Sequence, residues 1–225
     1  DSLPINGVAA AGAADRRKIK IDVVCLPHMS NFTDFDPLER EPDVALRYVK
    51  TPAELRDPDV IVIPGTKNTI GDLAYLRKSG FAVKIVRTYY ERQKTILVGI
   101  CGGYQILGEK VSDRCRVESK DGAVEGLKLL PVATEFSEEK ILTQVRARHR
   151  ASGLEIQGYE IHHGRTTVRD AVKPLFKVMQ GKGKTTSADE GVVSADGRCW
   201  GTYIHGVFDA DRFRRYFLNA VREQK

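Results

Sequence analysis

The sequence has few cysteines, and they are not arranged for a metal site or a dense disulfide framework. The four are Cys25, Cys101, Cys115 and Cys199, and no two of them form a C-x-x-C pair. Zinc domains and disulfide-rich secreted domains need closely spaced cysteines, so both classes are excluded. A chain of 225 residues can bury a sizeable core without such cross-links. We therefore expect a cytoplasmic protein that holds no metal.

Long apolar runs and long basic runs are also missing. No apolar stretch approaches the ~20 residues that a membrane-spanning helix needs. The net charge is +6, but the basic residues are scattered, and no basic stripe with interleaved aromatic residues is present. The alanine-rich residues 1–17 carry their basic residues after their apolar part, the reverse of a secretory signal. We expect no membrane or nucleic-acid partner, and we interpret residues 1–17 as a linker.

Apolar strands alternate with helical patterns over the first half of the chain. Segments rich in β-branched residues predict strands at 18–27, 46–51, 57–65 and 95–100. A helix is predicted after the third strand, where Thr69 and Asp72 resemble a capping box, and a second helix should carry Val83, Val86 and Tyr90 on one side. This alternation predicts an α/β fold, with a doubly wound, mostly parallel sheet flanked by helices in a flavodoxin-like, three-layer arrangement.

The second half of the chain has a weaker pattern. A helix after residue 101 should carry Tyr104, Leu107 and Val111, whereas residues 115–160 are less regular. Strands are predicted at 154–168 and 198–208. A terminal helix is predicted at 209–224, with an apolar face formed by Phe213, Phe217 and Ala220.

The stretch TILVGICGGYQILGEKV (95–111) places a thiol at the bend between a strand and a helix. Ligands of open α/β sheets bind at the carboxyl ends of the strands, which is where Cys101 should lie. Gly99, Gly102 and Gly103 allow a tight turn there. The positive end of the following helix is expected to stabilise a thiolate, and the Gly102 N–H should face a developing oxyanion. We predict that Cys101 is a nucleophile and that the other three cysteines are structural.

A thiol nucleophile needs a base, and the chain has five histidines. His205 ends a predicted strand before a glycine, so its ring should reach the same sheet edge as Cys101. His162 and His163 are rivals, but adjacent strand residues point to opposite faces, so only one of them could face a site. His28 and His149 lie in polar, loop-like contexts and are interpreted as structural.

Five motifs in order resemble one family. GICGGYQILG resembles the nucleophile motif of class I glutamine amidotransferases. Its combination with MSNFTDFDPL, VIVIPGTKNTIGDLAYL, GYEIHHGRT and GTYIHGVFD is similar to the C-terminal glutaminase domain of the cobyric acid synthase family. The similarity covers residues 19–220, which is nearly the whole chain.

The resemblance implies that Cys101 attacks the side-chain amide of glutamine, leaving a glutamyl thioester and releasing ammonia. His205 would act as general base and acid, and Gln105 would help to hold the substrate. Typical class I enzymes carry a glutamate two residues after the histidine, where this chain has Val207. We therefore expect a Cys–His dyad, or a third member from elsewhere, for which Glu160 is a candidate without further support.

Further site residues follow from the same resemblance. Backbone N–H groups of Gly65 or Thr66, together with that of Gly102, would form an oxyanion hole. Tyr159 and His162, in the GYEIHHG strand, would line the glutamine pocket.

The family also implies a partner domain. An N-terminal synthetase domain would use ATP and Mg to amidate carboxylates of a corrin with the ammonia, so residues 1–17 would be its linker and residues 18–225 the glutaminase domain. The stretch GKGKTT (181–186) is not a phosphate-binding loop, because the position that requires glycine is Val178. We expect no cofactor in this chain, and we expect glutamine and the synthetase domain as its partners.

Other interpretations remain open. The ammonia could serve another acceptor, as in cobyrinic acid a,c-diamide synthase or in the amidation of cell-wall lipid precursors. The chain could also be a non-catalytic, glutaminase-like scaffold. A cysteine protease is disfavoured because the motifs match small-amide chemistry.

Overall fold

The computed structural model describes residues 18–119, 122–169, 172–181 and 183–224. The linker that we predicted for residues 1–17 lies outside these residues. No helix among the described residues has both the length and the apolar composition needed to span a membrane.

Twelve strands and five α-helices make up the described part of the chain. The strands are β1 (Ile19–Val24), β2 (Val44–Val49), β3 (Val60–Ile63), β4 (Ile96–Ile100), β5 (Lys110–Ser112), β6 (Ala123–Glu125), β7 (Val132–His149), β8 (Glu155–Val168), β9 (Lys173–Gly181), β10 (Lys184–Val193), β11 (Cys199–Thr202) and β12 (Ile204–His205). The helices are α1 (Asp36–Glu39), α2 (Thr69–Lys78), α3 (Phe81–Glu91), α4 (Gly102–Leu107) and α5 (Asp211–Gln224). Short 3-10 helices cover Phe32–Phe35 and Pro52–Glu54.

The centre of the fold is a parallel sheet in the order β2–β1–β3–β4–β11. Its middle strands are continuous apolar runs. Every residue of β3 and β4 is buried, as expected for strands covered on both faces. All four predicted strands of the first half are present, and the predicted α/β class is confirmed.

The sheet continues beyond β11 through antiparallel strands in the order β10–β9–β7–β8–β12. The sequence pattern suggested little regular structure at 115–160, but β7 alone spans Val132–His149. Its pairing with β8 shifts register between Phe136 and Ile141, where the chain carries two glutamates and a lysine. We call the strands β7 to β10 the antiparallel extension. Strand β8 matches the strand predicted at 154–168, whereas β7, β9 and β10 were not predicted, because polar residues and the irregular register obscure the alternation of apolar and polar residues.

Helix α2 begins differently from the prediction. Its N-cap residue is Asn68, whose side chain accepts a hydrogen bond from the Gly71 N–H at 2.9 Å. The capping box predicted from Thr69 and Asp72 is therefore wrong, because Asp72 turns away from the helix toward two loops. Leu73 and Leu76 of this helix are fully buried.

The apolar side chains of α3 are also arranged differently. Val83 and Tyr90 are 71% and 61% exposed, whereas Phe81, Ile85 and Tyr89 are buried. The wrong face was predicted because apolar residues occur on both sides of this helix.

The helix after residue 101 ends earlier than predicted. Helix α4 ends at Leu107, and Val111 lies in strand β5 instead, where it is buried. In α5, Phe213 and Phe217 are buried as predicted, and Ala220 is only half-buried.

Candidate active site

Cys101 lies between β4 and α4 with an unusual backbone conformation. Its φ is +52° and its ψ is −108°, which is costly for a residue with a side chain. The turn is tight enough that a Cβ on Gly103 would collide with the Ile63 carbonyl oxygen, and one on Gly99 would lie 2.7 Å from the Gly103 carbonyl oxygen. The flanking glycines are therefore required by close packing, and the strained turn presents the thiol at the carboxyl end of β4.

The thiol of Cys101 is protonated in the free protein. Burial is the main reason that its pKa is raised to about 12. The hydrogen bond from the Gly102 N–H lowers the pKa and offsets only part of this effect, whereas the negative charge of Asp34 raises it further. Its Sγ donates to the Ile161 carbonyl oxygen at 3.5 Å. The positive end of α4 was expected to stabilise a thiolate; burial, the largest influence on this pKa, opposes that effect, and the helix has only six residues. A base must remove the proton when substrate binds.

His205 is fully buried and is held by a carboxylate. Its Nδ1 lies 2.6 Å from Asp34 Oδ2, and the Gly206 N–H donates to Asp34 Oδ1 at 2.9 Å. With its proton on Nδ1, the ring presents a lone pair on Nε2, to which the Asn31 amide can donate. The Asn31 amide nitrogen lies 3.1 Å and 3.0 Å from the two ring nitrogens.

Asp34 was missing from the sequence-based list of site residues. We expected a dyad or a third member from elsewhere, and the structure places Asp34 in that third position. Glu160 does not contact His205; its carboxylate lies 3.7 Å from Nε2 of His162. The only sequence signal for Asp34 was an acidic residue between two phenylalanines in NFTDFD.

Three side chains converge at Gly65. A Cβ at this position would lie 3.0 Å from Cε1 of His205, 3.6 Å from Oγ of Ser30 and 3.8 Å from Cβ of Cys101. The side chains of Cys101 and His205 therefore both approach Gly65, where an added Cβ would crowd the imidazole.

The predicted oxyanion-hole residues lie beside each other. A Cβ on Gly102 would be 3.2 Å from the backbone nitrogen of Thr66 and 2.5 Å from its Cγ2. The N–H groups of Thr66 and Gly102 therefore belong to the same small region next to Cys101. This proximity agrees with a shared oxyanion hole, which stays a prediction.

A cavity of about 240 Å³ opens next to Cys101. Gln105 and His162, both predicted to bind glutamine, line this cavity with Gly102 and Thr66. The amide of Gln105 is fixed on both sides, because its Oε1 accepts from Thr69 Oγ1 at 2.9 Å and its Nε2 donates to the Tyr203 hydroxyl at 3.1 Å.

The rings of His162 and Tyr203 are stacked. Their centroids are 3.7 Å apart, and Nδ1 of His162 is 2.7 Å from the Gly164 carbonyl oxygen. A carbonyl can only accept, so Nδ1 carries the proton in this contact. His163 lines the same cavity. The prediction that only one of the two histidines could face a site is therefore wrong, since the strand is irregular opposite the register shift in β7.

Tyr159 lies outside the Cys101 cavity. Its ring stacks on His205, with centroids 5.1 Å apart and planes 20° apart, and it lines a separate cavity of about 890 Å³ between β7 and β8. Burial raises the pKa of Tyr159, so the ring is neutral. The structure places it behind the His205 imidazole, away from the cavity that we predicted it to line.

The two remaining histidines are held by contacts away from the cavity. His28 pairs with Asp72, and His149 packs against Phe176 and Phe213, where burial lowers its pKa. Across residues 18–119, 122–169, 172–181 and 183–224, no three histidine, cysteine or acidic side chains are grouped closely enough to hold a metal ion.

Comparison with known proteins agrees with this geometry. The family model of the CobB/CobQ-like glutamine amidotransferase domain matches residues 20–213. The chain is 44% identical over 220 residues to a cobyric acid synthase of Klebsiella pneumoniae, covering 94% of this chain and 42% of that protein. A cobyric acid synthase of Syntrophobacter fumaroxidans is 41% identical over 238 residues, covering 99% of this chain and 46% of the relative. The chain thus spans less than half the length of these relatives.

Solved structures with low sequence identity share the fold. A structure described as PurLQS from Thermotoga maritima gives a TM-score of 0.67 at 20% identity and covers 90% of this chain and 98% of its own. A second structure, described as a glutamine amidotransferase, gives 0.65 at 18% identity with the same coverage. On the family match and the identity to its relatives, the chain belongs to the CobB/CobQ-like glutamine amidotransferase domain family and is an enzyme domain of that kind.

Proposed function

We propose that this chain hydrolyses glutamine through a glutamyl thioester on Cys101. The observation that carries the proposal is the contact of His205 with Asp34 at 2.6 Å beside a thiol on a strained turn. This contact leaves Nε2 of His205 as a base. A scaffold would have no need of a buried histidine held in one tautomer by a carboxylate.

The proposed reaction follows from these groups. Nε2 of His205 accepts the thiol proton as Sγ of Cys101 attacks the amide carbon of glutamine. The resulting oxyanion is stabilised by the N–H groups of Thr66 and Gly102. The intermediate collapses, the C–N bond breaks, and the imidazolium gives its proton to the leaving ammonia. A water molecule, deprotonated by His205, then attacks the thioester and releases glutamate and the thiol.

The cavity also carries charges that suit the head group of glutamine. Glu118 lines it, is half-buried, and forms no ion pair with the described residues. Its Oε2 accepts from the Thr69 N–H at 2.6 Å, and burial raises its pKa to about 7. Lys67 and Lys140 lie on the same cavity. We assign the α-ammonium group to Glu118 and the α-carboxylate to these lysines.

The acceptor of the ammonia is proposed from the relatives. Proteins named cobyric acid synthase are 41% and 44% identical to this chain and more than twice its length. We propose that an ATP-dependent synthetase domain in the remaining length uses the ammonia to amidate corrin carboxylates in cobalamin biosynthesis, in the cytoplasm. A different acceptor, such as cobyrinic acid or a cell-wall lipid precursor, would leave the chemistry at Cys101 unchanged.

Interception by hydroxylamine tests the thioester. If the chain forms it, incubation with glutamine and hydroxylamine will yield γ-glutamyl hydroxamate, and the yield will rise with hydroxylamine concentration as glutamate falls. A Cys115→Ala variant, which changes only an exposed thiol, should behave as the parent does. Ammonia release without any hydroxamate would refute the covalent route, and release of neither product would refute the glutaminase.

Replacing Glu118 by glutamine will raise KM for glutamine about tenfold to hundredfold with a smaller change in kcat. The new side chain at position 118 keeps an oxygen that accepts from the Thr69 N–H, but it has no negative charge to bind the ammonium group of the substrate. A hydrogen bond to a charged group contributes roughly 1.5–3 kcal/mol. In the parent, KM should rise as the pH falls below about 7, because Glu118 becomes protonated. In Glu118→Gln this rise should be absent.

Glutaramic acid, which is glutamine without its α-amino group, provides the control. The parent should hydrolyse glutaramic acid slowly, and Glu118→Gln should hydrolyse it at the same slow rate, because this compound has no ammonium group for Glu118 to bind. If the variant loses activity equally on both compounds, Glu118 does not bind the ammonium group.

A further inference from the structure

Asp72 is a fully buried carboxylate whose hydrogen bonds lie outside its own helix. Its Oδ2 accepts from Thr66 Oγ1 at 2.5 Å and from the His28 N–H at 3.2 Å. Its Oδ1 lies 2.7 Å from Nδ1 of His28. Both oxygens are therefore engaged by residues that flank the catalytic groups.

This arrangement does more than stabilise the helix. An acidic residue in the first turn interacts favourably with the helix dipole, but capping of α2 is performed by Asn68, which accepts from Gly71 N. A buried carboxylate is costly unless it is hydrogen-bonded. The partners that satisfy Asp72 are supplied by loops from β1 and β3, so those loops are tied to the carboxylate.

The two loops carry different parts of the catalytic machinery. We call residues 65–68 the oxyanion loop and residues 28–34 the histidine-support loop, since the second ends at the carboxylate that holds His205. They are joined by backbone hydrogen bonds from Ser30 N to Gly65 O at 2.9 Å and from Lys67 N to His28 O at 3.0 Å. Asp72 contacts both loops at the point where they meet.

We propose that Asp72 is a positioning residue for the oxyanion hole. Through the Thr66 hydroxyl it fixes the direction of the Thr66 N–H, and through His28 it holds the histidine-support loop in register with the oxyanion loop. The inference rests on the proposed glutaminase function. A displacement of 1 Å in a positioning group can lower a rate about 10²-fold, so the effect should be large for residues that never touch substrate.

Thr66→Val is the first variant to test, because it keeps the shape and the backbone N–H but removes the hydroxyl, which donates to Asp72 and accepts from the Asn68 N–H at 3.0 Å. We expect kcat to fall about tenfold to hundredfold, with KM for glutamine within about threefold of the parent. Thr66→Ser restores the hydroxyl and should recover most of the lost activity. Asp72→Ala should lower kcat at least as far, because it also removes the contacts with His28. The double variant should lose less than the product of the two single losses, because the variants share the Thr66–Asp72 contact.

Binding of an aldehyde analogue separates positioning from general damage. Glutamate γ-semialdehyde adds the Cys101 thiol to form a thiohemiacetal whose oxygen occupies the oxyanion hole, whereas glutamate only fills the pocket. In Thr66→Val the aldehyde should bind more weakly by the same factor as the loss in kcat/KM, and glutamate should bind as it does to the parent. This readout does not depend on the folding of Asp72→Ala.

The outcomes distinguish this inference from the proposed function. If the parent releases no ammonia, the glutaminase itself fails. If the parent is active and Thr66→Val keeps its kcat, or loses affinity for aldehyde and glutamate equally, the positioning role of Asp72 is wrong.

Discussion

Replacing Cys101 by alanine will lower ammonia release from glutamine by roughly 10⁵-fold or more, to the level of the assay background. In enzymes whose catalytic residues act as a unit, removal of the nucleophile lowers the rate by about this factor. His205→Ala should lower the rate of ammonia release by at least about two orders of magnitude, because general acid–base catalysis alone accelerates a reaction roughly 10²–10⁴-fold. The measurement follows ammonia and glutamate together over time and compares their rates of release between the parent and the variants.

The double variant sharpens the result. If Cys101 and His205 act in one covalent step, the double variant will be no worse than Cys101→Ala alone, because removing the base has no effect once the nucleophile is absent. Cys199→Ala is a matched control, since Cys199 is a buried strand cysteine in the same sheet. If the Cys101→Ala variant still releases ammonia at the rate of the parent, Cys101 is not the nucleophile.

Asp34→Asn will lower kcat by roughly 10³–10⁴-fold with little change in KM. Asparagine keeps the size of the side chain, but its amide can donate to Nδ1 of His205 and so favours the tautomer with the proton on Nε2. In serine proteases this change alone lowers kcat about 10⁴-fold. The buried position of Asp34 and its 2.6 Å contact make the same loss expected here.

Glu160→Gln is the matched control for Asp34→Asn. It tests the other acidic residue considered as a third member, and its contact is with His162. We expect its kcat to stay within about threefold of the parent, because the ion pair of Glu160 is with His162 and not with His205. If kcat falls equally in the two variants, the acidic residues act only through their negative charge on the electrostatic field of the site, and Asp34 does not orient His205.

The approach of Cys101 and His205 to one region of the sheet was predictable because each residue has a local signal. Glycines around Cys101 and a glycine after His205 mark two strand ends, and strand ends of an α/β sheet meet at one edge. Asp34 could not be found this way, because it lies 171 residues from His205 in the chain and on a 3-10 helix. Its loop has a polar sequence that carries no periodicity.

The fold was predictable to a similar degree. The buried parallel strands are continuous apolar runs, and these gave the correct α/β class. Of the antiparallel extension, β8 was predicted at 154–168, but β7, β9 and β10 were missed. Strand β7 carries many charged residues, and the composition of an exposed strand face resembles that of a loop. The face of α3 was missed because tertiary packing selected Phe81 over Val83, a choice that hydrophobicity alone does not make.

The pairing of β12 has a mechanical consequence. His205 sits on a two-residue strand that is hydrogen-bonded to β8, across from Tyr159, whereas Cys101 follows β4 in the parallel part of the sheet. His205 also follows the end of β11 by three residues, and the Cys101 N–H donates to the Thr202 carbonyl oxygen at 2.8 Å. The imidazole is therefore held on one side by the strand that adjoins the thiol and on the other side by β8. A partner that binds the antiparallel extension and shifts β8 would move the imidazole without entering the cavity.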